Sequence, residues 1–235
     1  MKRLLLMLSF VLLNSALANM AQPSKRLFIV LLDETGNSGV DKFWDKAVGF
    51  ASALAQRTGQ EDAYILIGID DHAGDPADVR VAMQEMDPNP IKAKGMKRAL
   101  ATTVKQLKVR NPKVENTDIL GALATAASIA ERHKEYRPEL VFFSDMDQFP
   151  TPPTVADVRR RSIQFAGGGS AHMFFFNAVA YARRTHNMAV DQAEKAMIKG
   201  WLDVFNAAGI SVSKDDFINE SDTASSFNKL YPPMR

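Results

Sequence analysis

Three short segments of this chain carry oxygen-bearing side chains at spacings that suit a hard divalent cation. In Asp33-Glu34-Thr35-Gly36-Asn37, the alternate residues Asp33, Thr35 and Asn37 can turn a carboxylate, a hydroxyl and an amide oxygen toward one point. Thr117 offers a second hydroxyl and Asp145 a second carboxylate. Mg²⁺ favours oxygen donors of this kind in a near-octahedral array, completed by water. A set with few charges and several neutral ligands leaves the ion able to accept a carboxylate from elsewhere. Each residue also has a plain alternative. Asp33 could serve only its own turn, and Thr117 could be the N-cap of the helix that follows it. Asp145 and Asp147 could belong to a solvated loop beside Pro150, Pro152 and Pro153.

The chemistry depends on elements that bring these segments together. Leu27 to Leu32, Ala63 to Ile69 and Leu140 to Ser144 are continuous apolar runs, the pattern of strands covered on both faces. Asp33, Asp70 and Asp145 each stand at the carboxyl end of such a run. Residues 78–86 alternate and read as an edge strand with one covered face. Helices are expected near 40–57, 91–108, 118–134, 155–164 and 188–208. A further strand spans His172 to Phe176, and a short one over Ile210 to Val212 closes the sheet. The tail beyond Lys214 is poor in apolar residues and reads as loosely held. Strands alternating with helices indicate an α/β fold, a three-layer, doubly wound and mainly parallel sheet with one antiparallel edge strand. Ligands of such sheets bind at the carboxyl ends of strands, where the strand order reverses.

The order of these loops resembles the von Willebrand factor A (vWA) family and its metal-ion-dependent adhesion site. That family carries an Asp-x-Ser-x-Ser loop after the first strand, a Thr before a central helix and an Asp after the fourth strand. Asp33 to Asn37 stands in the first position, Thr117 to Leu123 resembles the second, and Phe143-Ser144-Asp145-Met146 resembles the third. The likeness runs from about 26 to 212. Thr35 keeps the hydroxyl of the first Ser, Asn37 replaces the second, and Met146 stands where Gly is usual. The resemblance implies a non-enzymatic protein-binding module. In it, Asp33, Thr35, Asn37, Thr117 and Asp145 hold Mg²⁺ (or Mn²⁺ or Ca²⁺), and a partner protein's Asp or Glu completes the coordination.

A second reading is a Mg²⁺-dependent phosphohydrolase or nuclease built on Asp33, Asp70, Asp145 and Asp147. Thr35 stands where a haloacid-dehalogenase-type enzyme would need Asp, and no lysine is placed for phosphate. A third reading is a vWA-like scaffold without metal. The remaining motifs are weak. Asp70-Asp71-His72 with Asp75 lacks a further ligand, and Gly167 to Ser170 precedes a strand rather than a helix. Arg159 to Arg161 reads as a solvated helix face. The chain has no cysteine, no serine elbow and no HExxH helix.

The N-terminus reads as an export signal. Lys2 and Arg3 precede an apolar run from Leu4 to Leu13, and Ala16-Leu17-Ala18 presents small residues at a cleavage site. The run is about ten residues, half the length that spans a hydrocarbon core. Cleavage after residue 18 would leave one domain over 19–235, periplasmic or secreted, with a role in a bacterial envelope, secretion or conjugation assembly. Without Lys2 and Arg3 the 29 basic residues fall to 27, equal to the 27 acidic ones. That balance gives no ground for a nucleic-acid partner.

Overall fold

The computed structural model describes residues 25–35, 42–71, 73–74, 78–108, 117–148, 152–185 and 188–233. The leader over 1–18, Asn37, His72 and Asp75 lie outside the described residues. The strands are β1 (Lys25–Asp33), β2 (Ala63–Ile69), β3 (Val79–Glu85), β4 (Tyr136–Phe143), β5 (Ser170–Phe176) and β6 (Phe217–Asn219). They form one six-stranded sheet in the order β3-β2-β1-β4-β5-β6. All pairs are parallel except the edge pair β2–β3. The helices are α1 (Phe43–Arg57), α2 (Pro90–Lys105), α3 (Ile119–Arg132), α4 (Val155–Arg160), α5 (Val179–Arg184), α6 (Val190–Ala207) and α7 (Glu220–Leu230).

Both faces of the sheet are covered, and the alternation within each strand divides the core in two. Leu27, Ile29 and Leu31 of β1 point to a cluster with α3 and α6, anchored by Trp201, Val204 and Phe205. Phe28, Val30 and Leu32 point to the opposite cluster with α1, α2 and α7. Continuous apolar runs are the sequence mark of strands buried on both sides. Chain order runs β1 to β2 to β3 on one side and β4 to β6 on the other, so the reversal point lies between β1 and β4.

Several boundaries differ from the sequence reading. β4 begins at Tyr136 rather than Leu140, and runs through Pro138. Pairing with β5 starts only at Glu139, so Pro138 lies in a one-sided part of the ladder where a missing N–H is tolerated. Ile210 to Val212 is not the closing strand. It contributes one bridge, Ser211 to Ser170, at the start of β5. The sheet is instead closed by Phe217–Asn219, and the folded core extends beyond 212. A capping box between Ser213 and Asp216 turns the chain into β6. Helix α7 then buries Phe227 against Phe50, Phe143 and Phe174. Burying one such ring contributes about 2–3 kcal/mol, enough to fix a short helix that is otherwise polar.

Candidate metal centre

Near the reversal point between β1 and β4, four of the predicted donors, Asp33, Thr35, Thr117 and Asp145, come together. Asp33 is the last residue of β1 and is 1% exposed. Its Oδ1 accepts from the Thr35 amide at 2.9 Å and from the Thr35 hydroxyl at 2.6 Å. The Thr35 hydroxyl lies 3.0 Å from that of Thr117. Three of the predicted ligands therefore form one hydrogen-bonded chain across loops far apart in sequence. Glu34 lies between two of them but points the other way, as strand alternation requires. Its carboxylate pairs with Arg80 and lies over Gly68, where a Cβ would come within 2.3 Å of it.

Thr117 is free for this role because it does not cap α3. The cap is Asp118, whose side chain accepts from the Gly121 amide at 3.0 Å and from Arg161 at 3.1 Å. The Asp118 amide donates to the Asp70 carbonyl at 2.8 Å, which fixes the helix start to the end of β2. Gly121 completes the placement. A Cβ there would lie 1.7 Å from the Ala73 carbonyl oxygen, so only glycine allows the first turn this close to the β2 loop.

Asp145 follows β4 and is buried beside the chain from Asp33 to Thr117. Its Oδ1 accepts from the Asp147 amide at 2.9 Å. Among the described residues nothing donates to its Oδ2. Burial, and after it the negative charge of Asp33, pushes the Asp145 carboxyl well above the usual carboxylate range. Burial also raises Asp33, against the hydrogen bonds from Thr35 and Ser144. Asp147 is neutralised differently, by a two-pronged ion pair with Arg184.

One feature of this loop escaped the sequence reading. Ser144 bridges the strands: its hydroxyl donates to Asp33 Oδ2 at 2.7 Å and accepts from the Met146 amide at 3.0 Å. A hydroxyl directly before the strand-end aspartate was the available signal. Met146 adopts φ 64°, the left-handed conformation that favours glycine at this point. Its side chain is buried in the core rather than crowding the rim. Its carbonyl accepts from Trp201 Nε1 at 2.9 Å, and the Gln148 side chain accepts from the Leu120 amide at 3.0 Å. Such anchoring offsets a left-handed cost of roughly 1–3 kcal/mol.

The donor set fits a hard divalent cation. It consists wholly of oxygens, and it places two buried carboxylates together while the neighbouring guanidinium of Arg184 is held by Asp147. A bound cation would relieve the like-charge burial that otherwise favours protonation. Arg161 pairs with Asp118 and Arg160 with Asp157, as a solvated and locally paired helix would have them. No described helix is long and apolar enough to cross a membrane.

Neither a protein-family model nor a curated protein matches the sequence. Among solved structures, the chain is similar to the pilus adhesin SpaC of Lactobacillus rhamnosus GG in its open conformation. That match has 12% identity and a TM-score of 0.50, covering 89% of this chain and 30% of that one. A second form of the same adhesin gives 11% identity and a TM-score of 0.50, over 89% and 31%. A von Willebrand factor type A protein from Catenulispora acidiphila gives 13% identity and a TM-score of 0.48, over 88% and 42%. This chain therefore spans less than half the length of each of those proteins, and at such identities the likeness is one of fold.

Proposed function

We propose, from the premise that this chain is a vWA-like domain, that it is a non-enzymatic protein-binding module working through a divalent cation at its sheet rim. Asp33, Thr35, Thr117 and Asp145, with Asn37 from the adjoining loop, hold the cation directly or through water. Mg²⁺ is the first choice, with Mn²⁺ or Ca²⁺ as alternatives. When bound, the cation supplies a Lewis-acidic position that accepts an Asp or Glu carboxylate of a partner protein. The chain's own residues do the rest. Asp33 and Ser144 lock the β1 and β4 loops together, Asp118 frees the Thr117 hydroxyl, and Arg184 keeps Asp147 from competing.

The observation that carries this reading is the continuous path from Asp33 through Thr35 to Thr117, beside a buried Asp145 whose Oδ2 accepts no hydrogen bond from a described residue. With the Lys2–Ala18 leader read as an export signal, the module belongs to the bacterial envelope, in a surface, secretion or conjugation assembly. The phosphohydrolase reading is weaker, because Asp147 is committed to Arg184. A scaffold without metal is favoured by one observation: Thr35 and Ser144 already satisfy both oxygens of Asp33. Calorimetric titration with Mg²⁺ and Mn²⁺ decides between them. Saturable binding that disappears in Asp145→Ala supports the cation-dependent module. A folded protein that takes up neither ion leaves the scaffold.

A further inference from the structure

Glu85, His133 and Glu135 stand at the amino-terminal end of the sheet, opposite the rim. Each offers a ligand atom, and the three atoms lie within 4.8 Å of one another. They come from separate elements. Glu85 ends the edge strand β3, while His133 and Glu135 belong to the turn between α3 and β4. Both backbones are fixed. Glu85 is paired with Ala63 of β2, and the Met86 amide that follows donates to the Asp62 carbonyl at 2.8 Å. His133 closes α3, its amide donating to the Ala130 carbonyl at 3.2 Å and its carbonyl accepting from the Tyr136 amide at 3.0 Å. The fold itself brings the three ligands together.

Their charges are unevenly matched. Two carboxylates share the cluster with one imidazole, and His133 Nδ1 lies 3.5 Å from Glu135. The neighbouring lysines are engaged by other acids. Lys25, close enough to feel Glu85, pairs with Glu61 at 2.9 Å, and Lys134 pairs with Glu131. Glu85 instead accepts from the hydroxyl of the buried Tyr136. Burial, and after it the charge of Glu85, raises the Tyr136 phenol above its ordinary value, so it stays a donor. A phenol held in this way orients a carboxylate as an outer-shell partner does at a metal.

We propose that Glu85, His133 and Glu135 form a binding site for Zn²⁺, separate from the rim and from its cation. One imidazole nitrogen and two carboxylate oxygens suit Zn²⁺, whereas the all-oxygen set of the rim suits Mg²⁺. Ligands about 2.1 Å from a tetrahedral centre are about 3.4 Å apart. The 3.5 Å between His133 and Glu135 matches that spacing, and rotation of the exposed Glu85 side chain closes the remainder. Three protein ligands leave the fourth position to water. The bound ion offsets the two like charges and ties the edge strand to the α3–β4 turn.

Calorimetry of the untagged full chain with Zn²⁺ tests this, run beside Asp145→Ala, which takes the rim out of the comparison. Saturable binding is expected in both proteins. His133→Ala and Glu85→Gln are each expected to weaken it by about tenfold or more. Zn²⁺ is expected to raise the melting temperature of the wild type and to leave that of Glu85→Gln, a change at an exposed residue, where it was. Co²⁺ in place of Zn²⁺ reports on the ligands directly, through visible absorption of the four-coordinate ion that His133→Ala abolishes. A folded wild type that takes up no Zn²⁺ overturns the proposal. Binding that both ligand variants leave unchanged does so equally.

Discussion

The two ends of this sheet both bury carboxylates, and they treat them in opposite ways. At the amino-terminal end Glu61, Asp62, Glu139 and Asp216 each have a cationic or imidazole partner. Asp62 and Glu139 face Arg26, Glu61 pairs with Lys25, and Asp216 lies 2.8 Å from His172 Nδ1. At the carboxyl-terminal rim Asp33 and Asp145 are buried together and accept from hydroxyls and amides, while the neighbouring Arg184 is paired with Asp147. The amino-terminal pairs hold structure and need nothing from outside. The rim keeps a charge imbalance that a ligand can relieve, which is how buried acids at functional sites differ from those in structural ion pairs.

The largest expected effect breaks the rim alone. Asp145→Ala should weaken Mg²⁺ and Mn²⁺ binding by about a hundredfold or more, read by calorimetry, since a first ligand counts for at least as much as a supporting one. Asp62→Ala should leave that binding unchanged and instead lower stability by about 2 kcal/mol in denaturant melts, by removing a buried acceptor of several hydrogen bonds. Next comes Ser144→Ala, which loses the bridge to Asp33 and is expected to cost roughly tenfold in metal affinity, the scale of outer-shell changes. Asp145→Asn in chelator should raise stability by about 1 kcal/mol, because it removes one of two like charges, the usual trade at a functional site.

The smallest effect, in pH dependence, has opposite signs at the two ends. Asp33 and Asp145 hold their protons more tightly folded than unfolded. Their contribution to stability is complete below the ordinary carboxylate value of 3.8 and is lost as pH rises through their raised folded values. For Asp216 burial acts upward, but hydrogen bonds from His172 and Ser213 win and lower it. Its contribution is present above 3.8 and lost as pH falls through the lowered value. Thermal melts in chelator from acid to neutral pH, with Asp145→Asn and Asp216→Asn beside the wild type, should separate the two slopes.

What could be read in advance followed from repeated, local signals. β2 occupies the residues its apolar run marks, and Asp33, Thr35, Thr117 and Asp145 converge because the ends of parallel strands share a rim. What could not be read depended on single side chains. β6 is three residues long, too short for any periodicity, and α7 is held by Phe227 and by Tyr231 just past its end. Thr117 and Asp118 are both good caps, and nothing local decides between them. The tertiary contact of Thr117 with Thr35 does. Gly121 looks like an ordinary helix residue until the Ala73 carbonyl is placed against it.

Met146 has a kinetic consequence. A glycine in that place could swing between backbone basins on binding, whereas a methionine rooted in the core, with its carbonyl held by Trp201, has one. On the proposed binding role, a turn set in advance at Met146 gives up no ordering entropy of its own when a carboxylate-bearing partner docks. Variants of such a contact would differ chiefly in how long the complex lasts and little in how fast it forms.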